Sequence, residues 1–140
     1  MEYFEKTGSS LALELYRERF QIAFKVAKIC VFEVDLIRQL YTFFENAEAI
    51  FDVPGEVILH EVQSYSKLSP QVYRSAIAAY FAHPDDIKTA EEAFQRVLTG
   101  KAATYHARMR AGRSKFTWCK VDMTPIMENG RAVRMIGVIT

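Results

Sequence analysis

The chain has 140 residues, half of them apolar and a quarter charged, which suits a globular protein long enough to bury one sizeable core. A net charge of +1 excludes a global field directed at nucleic acid or an anionic membrane surface. No apolar run approaches the roughly 20 residues of a membrane span, and the opening MEYFEKTGSS has no signal-peptide pattern, so direct membrane insertion is not expected.

In chain order, residues 1–9 are polar and expected to be flexible, and a helix is expected over 10–28 with Ser9 or Ser10 as N-cap. Leu13, Tyr16, Phe20, Ala23, Phe24 and Ala27 recur on it at helical spacing. Leu11, Leu15 and Ile22 widen the apolar surface, which fits either core or a seam for a second copy. Ile29–Asp35 and Gln39–Phe44 read as strands joined by Leu36-Ile37-Arg38. Glu45–Phe51 reads as helical and Asp52-Val53-Pro54-Gly55 as its break. Glu56–Leu68 is the least readable part, where Val57, Ile58, Leu59 and Val62 fit a short helix or a strand. Ser69-Pro70 reads as an N-cap and first helical position, followed by Tyr73, Ala76, Ile77 and Tyr80 on one face. His83-Pro84-Asp85-Asp86 starts a further helix, with Ile87, Ala90, Phe94, Val97 and Leu98 as its stripe and Gly100 at its end.

The last third, Thr104–Thr140, carries three β segments, the last two joined by Asn129-Gly130, whose residues tolerate the positive φ of a tight hairpin. In the first, Tyr105, Ala107 and Met109 alternate with His106, Arg108 and Arg110. Phe116 and Trp118 oppose Cys119, Val121 and Met123, and Met135 and Gly137 oppose Ile136 and Val138. Strands apolar on both sides usually have both sides covered. Helices are therefore expected on one face and a second cover on the back. Two strands, a helical middle and three strands make an α+β fold with five antiparallel strands.

This order, with these residues, resembles a PAS domain of the bacterial sensory-box type with Trp-bearing, PAC-like closing strands. The resemblance runs from about Tyr16 to Thr140. Tyr16-Arg17-Glu18-Arg19-Phe20 with Ala23 resembles the family's opening helix, and Phe32-Glu33-Val34-Asp35 the end of its first strand. Asn46-Ala47 resembles the turn into the first internal helix, and His83-Pro84-Asp85-Asp86 the start of the long helix across the sheet. Arg108, Arg110, Trp118, Pro125, Asn129-Gly130 and Ile136-Gly137-Val138-Ile139-Thr140 resemble the closing strands. Three features depart from the family. His106 stands where an acidic residue is usual, Gly112-Arg113-Ser114 replaces an Asp-Gly turn, and Val53–Phe81 is longer than typical. The resemblance implies one PAS domain over 10–140, with its core at 29–140, helices on one face of the sheet and the N-terminal helix on or beyond the back. The family pattern continues past Thr140 into an output helix, so an excised sensor module with a missing effector is expected.

The residues offer no catalytic constellation: no nucleophile elbow, phosphate loop, zinc spacing or carboxylate pair. The chain is read as a non-enzyme. His60, His83 and His106 fall on three elements without ligand spacing, which speaks against haem or metal. Cys30 and Cys119 lie on predicted strands and lack the Asn-Cys-Arg motif of flavin-adduct relatives; they read as reduced core residues of a cytoplasmic protein, with one disulfide as the alternative. The basic set Arg108, Arg110, Arg113 and Lys115 reads as a solvated hairpin rather than an RNA site, so no nucleic-acid partner is expected.

The function implied is a cytoplasmic sensor or dimerisation module of a larger bacterial signalling protein, its effector in cis being a cyclic-dinucleotide synthase or phosphodiesterase, or a histidine kinase. The expected pocket lies between the sheet and the long helix. Its candidate lining is Phe32, Val34, Phe44, Phe94, Leu98, Tyr105, Ala107, Met109, Cys119, Val121, Met135 and Ile139. Tyr105 is its main polar handle, and such a lining suits a small apolar or aromatic ligand. The alternative is that these side chains close on one another as a dry core, in a constitutive dimerisation module without ligand. The expected homodimer and output surface comprises Tyr16, Phe20, Phe24, Phe116, Trp118, Ile136 and Val138, with Trp118 packed on the N-terminal helix or on a second subunit.

Overall fold

In the computed structural model of the chain, secondary structure is described for residues 2–140 and side chains from Ser10 onward. Helix α1 (Glu2–Ala27) leads into strands β1 (Cys30–Asp35) and β2 (Leu40–Glu45). Helices α2 (Glu48–Phe51), α3 (Gly55–Gln63), α4 (Pro70–Phe81) and α5 (Ile87–Leu98) follow, with a 3-10 turn at Pro84–Asp86. Strands β3 (Ala103–Met109), β4 (Thr117–Glu128) and β5 (Arg131–Ile139) close the chain. The five strands form one antiparallel sheet in the order β2-β1-β5-β4-β3, so the two N-terminal strands add to the edge of a closing meander. This is the α+β architecture expected, with α3, α4 and α5 packed over one sheet face.

Local chemistry explains the turns. Asp35 Oδ1 accepts from the backbone N–H groups of Ile37 and Arg38, an Asx turn that folds β1 back into β2. Asn129 and Gly130 both take positive φ at the β4–β5 turn, as a two-residue hairpin of primed type requires. Asn46 also sits at positive φ, and its side-chain amide donates to the carbonyls of Phe24 and Ile29, each at 2.8 Å. One residue thereby ends β2 and anchors the exit of α1. That arrangement shortens the helix expected at Glu45–Phe51: Glu45 stays in β2, paired with Val31, and only Glu48–Phe51 is helical.

One choice the sequence leaves open resolves as helix, and one further boundary differs from the sequence reading. Glu56–Leu68 belongs mainly to α3, where Ile58 and Val62, one turn apart, are fully buried. The helix expected from Ser10 already runs from Glu2. The larger difference is where α1 goes. Leu11, Leu13, Leu15, Tyr16, Phe20, Ile22 and Val26 are all exposed, and among its side chains from Ser10 onward only Phe24 is half-buried. Helix α1 leaves the domain beyond the sheet and does not cover its back.

Alternation fixes the faces. Cys30, Phe32 and Val34 of β1, Ala107 and Met109 of β3, Cys119, Val121 and Met123 of β4, and Met135 and Ile139 of β5 point at the helices and are buried. Gly137 shares that face opposite Phe32 in register. A Cβ at 137 would fall within the Phe32 ring, so the glycine lets that ring lie flat on the sheet.

Candidate functional site

The inner face and helices α4 and α5 enclose a cavity of about 660 Å³. Its floor is sheet: Phe32, Val34, Tyr41, Phe44, Val121, Met123, Met135 and Ile139. Its walls are Tyr73, Ile77 and Phe81 of α4 and Ala90 and Phe94 of α5. Exposed Gln71, Ser75, Lys88, Glu91, Glu92 and Gln95 edge its mouth between the two helices. The Arg74 guanidinium reaches from α4 to lie 5.5 Å from the Phe94 ring centroid on α5, spanning that mouth.

Nine of the twelve expected lining residues stand on this cavity: Phe32, Val34, Phe44, Phe94, Tyr105, Met109, Val121, Met135 and Ile139. Three do not. Ala107 and Cys119 are register partners buried toward the β3 edge, outside the lining, and Leu98 sits in the last turn of α5, beyond it. Tyr41, Tyr73, Phe81 and Met123 were not anticipated. The missed signal on α4 was the spacing Tyr73–Ile77–Phe81, one apolar residue every four, which places the wall one step round from the Tyr73, Ala76, Ile77 and Tyr80 stripe.

The aromatic side chains form one connected group. Phe44 lies 5.5 Å from Phe32 and 5.7 Å from Phe81 with nearly parallel rings, and Tyr41 joins at 5.8 Å from Phe32 and 6.1 Å from Phe44. Polar groups at depth are phenols: Tyr41 from β2, Tyr73 from α4 and Tyr105 from β3. Burial pushes all three above the ordinary tyrosine range, Tyr105 up to about 12, and at Tyr41 the neighbouring Tyr73 and Tyr105 add to the rise. They are neutral donors at physiological pH. The Tyr73 hydroxyl is buried and has no hydrogen-bond partner among the described residues.

An ion pair fastens the cavity wall to the edge strand. Asp86, just ahead of α5, accepts from the Arg108 backbone N–H at 2.8 Å, from its Nε at 2.9 Å and, through the other oxygen, from its terminal guanidinium nitrogen at 3.1 Å. These bonds hold Asp86 at about 2, well below the usual carboxylate range. The same guanidinium lies 5.2 Å from the Trp118 ring on the outer face.

Trp118 is on the back of the sheet, as alternation requires, but is 68% exposed. The cover expected from the N-terminal helix is absent because α1 projects away: Tyr16 and Phe20 are themselves exposed. Ile136 and Val138 share the outer face and are half-buried. Phe116 precedes β4 and is held between the His83 ring, 4.9 Å away, and the Arg110 guanidinium at 4.2 Å. His60 and His106 are exposed on α3 and β3, while His83 caps the 3-10 turn, its Nδ1 accepting from the Asp85 N–H. Among the described residues, no group of three or more His, Cys, Asp or Glu side chains is placed to hold a metal. Burial pushes the Cys30 thiol up to about 12 and Cys119 up to about 11, which keeps both protonated. No helix of the described residues is long and apolar enough to cross a membrane.

Residues 71–139, from the first turn of α4 through β5, match the family described as PAS fold. The chain carries a PAS domain. Solved structures with the same fold include the PAS domain of a protein from Colwellia psychrerythraea, similar at TM-score 0.58 and 18% identity over 90% of this chain and 95% of that one. The N-terminal domain of a diguanylate cyclase with PAS/PAC sensor from Marinobacter aquaeolei is similar at TM-score 0.56 and 13% identity, covering 80% of this chain and 93% of that one. A sensory box histidine kinase/response regulator from Burkholderia thailandensis is similar at TM-score 0.57 and 16% identity, over 87% and 82%. No curated protein matches the chain in sequence.

Proposed function

We propose that this PAS domain is a non-enzymatic sensor module of a larger bacterial signalling protein, working in the cytoplasm and binding a small molecule in the cavity between the sheet and helices α4 and α5. The observation that carries this reading is the cavity itself: about 660 Å³, walled by apolar and aromatic side chains, with a polar mouth. Two similar solved domains come from proteins named as a diguanylate cyclase and a histidine kinase, which supports an effector of such a kind in cis. Output is a population shift: a ligand that contacts α5 favours one placement of its N-terminal turn, and the Asp86–Arg108–Trp118 chain carries that placement to the outer face. The outer face and α1 then set how two copies associate.

Native mass spectrometry of freshly purified chain tests the binding. One equivalent of a small organic mass should accompany the protein, and denaturation should release it. Bare protein in every preparation, with no mass gained on soaking in small aromatic compounds, contradicts the reading. A constitutive dimerisation module is the second reading, favoured by the exposed apolar residues of α1 and by Trp118. It predicts a concentration-dependent dimer, indifferent to such compounds.

A further inference from the structure

Charge on the cavity's lining is confined to one place. The charged lining residues, Arg74, Lys88, Glu91 and Glu92, all come from α4 and α5 at the mouth, and no charged side chain among the described residues is buried. Of the four, Arg74 alone is half-buried; the other three are exposed. Its guanidinium is held 5.5 Å from the ring centroid of Phe94, a residue that itself lines the cavity. Among the described residues no carboxylate pairs with it: the ion pairs engage Glu33, Asp35, Asp85, Asp86 and Asp122 with other cations. A guanidinium partly withdrawn from water loses hydration that a ring face replaces only in part, and a carboxylate is the group its planar fork of donors matches.

We infer that the ligand is an aromatic monocarboxylate, seated with its rings on the Phe32–Phe44–Phe81 group and its carboxylate at the mouth on the Arg74 guanidinium. This rests on the ligand-cavity reading above. The orientation follows from charge: the sheet floor offers an anion no cation, so the head stays where Arg74 and water meet. Aromatic character follows from the near-parallel Phe44 and Phe81 rings and from Met109, Met123 and Met135, whose thioethers adapt to flat ring edges. The head is a monoanion because Glu91 and Glu92, at the same mouth, oppose the second charge of a phosphate or a dicarboxylate. Being exposed, those glutamates are screened by water, whereas Arg74 acts from against the cavity wall.

Benzophenone, 4-benzoylbenzoate and 4-(aminomethyl)benzophenone are the probes, one ring body carrying no head, an anionic head and a cationic head. Calorimetric titration of the folded chain should show 4-benzoylbenzoate binding about tenfold tighter than benzophenone, the worth of one charge-assisted pair at a half-buried site, and the ammonium probe weaker than either. Arg74→Gln should bring the affinities of 4-benzoylbenzoate and benzophenone together, whereas Lys88→Gln should leave 4-benzoylbenzoate ahead. In the unaltered chain the Arg74 side-chain N–H resonance should move further with 4-benzoylbenzoate than with benzophenone, a readout independent of how either variant folds. Equal affinities for these two probes with equal movement of that resonance overturn the carboxylate assignment and leave the cavity reading standing. An ammonium probe that binds tightest overturns it too, and gives the mouth to Glu91 and Glu92. Failure of all three to bind, together with bare protein in native mass spectra, overturns the cavity reading as well.

Discussion

The inner and outer faces of these five strands are built from similar stretches of sequence yet meet different surroundings. On the inner face, Cys30, Val34, Ala107, Val121, Met135 and Ile139 are buried beneath helices. On the outer face, Trp118 stands exposed among polar neighbours, with Lys120 and Asp122 3.9 Å apart and Arg134 and Glu33 3.8 Å apart. Apolar alternation reports which way a side chain points. It does not report whether anything covers it. The inner face is covered because α3, α4 and α5 present apolar stripes to it, whereas α1 leaves Leu11, Leu13, Leu15, Tyr16, Phe20, Ile22 and Val26 exposed. The inner face therefore carries the buried core, while the outer face with α1 keeps large apolar side chains exposed.

The largest contrast should come from truncation. Phe44→Ala, at the centre of the aromatic group, should cost ~3–5 kcal/mol in urea unfolding. Sharper on the cavity itself, Gly137→Ala forces the Phe32 ring off the sheet and should cost about 1–3 kcal/mol by overpacking. It should also weaken benzophenone binding in calorimetry, since the displaced ring enters the cavity; unaltered stability and affinity would remove Gly137 and Phe32 from the account.

Between the faces stands Asp86, whose folded-state pKa lies below its unfolded one. Its pairing with Arg108 contributes fully above the ordinary carboxylate value, about 4, and is lost as pH falls through about 2. Asp86→Asn should lower the melting temperature at neutral pH and flatten the acid side of the stability–pH curve between those values. A variant curve parallel to the parent's would deny the pair that role.

The smallest stability effect belongs to the outer face. Trp118→Ala and Phe20→Ala, costly had either side chain been buried, should each change unfolding free energy by about 0.5 kcal/mol or less. Both should lower dimer content in sedimentation at matched concentrations. Unchanged association in these folded variants would count against a dimer formed through this surface.

Much of this was legible in the sequence, for identifiable reasons. The closing strands were readable because Asn129-Gly130 fixes a hairpin and because Tyr105, Ala107 and Met109 alternate cleanly against polar neighbours. Helix α5 was readable from Pro84, the paired aspartates and Gly100. The middle was not. Asn46 ends β2 through hydrogen bonds to two carbonyls far away in sequence, and Val57, Ile58, Leu59 and Val62 fit either periodicity over so short a run. Most of the cavity lining was legible from strand alternation. Tyr41, Tyr73 and Phe81 were not, because they face the cavity only once α4 is set against β2. The fate of α1 was also hidden, since an amphipathic stripe looks the same whether its partner is the same domain or another molecule.

The most direct test of the central claim is a titration of isotope-labelled chain with benzophenone, followed by amide and methyl NMR spectra. Shifts concentrated on α4, α5 and the methyls of Val121, Met135 and Ile139, with smaller ones at Arg108 and Trp118, are the predicted result. Shifts confined to α1 and the outer face, or none at saturating probe, would contradict a ligand cavity inside this PAS domain.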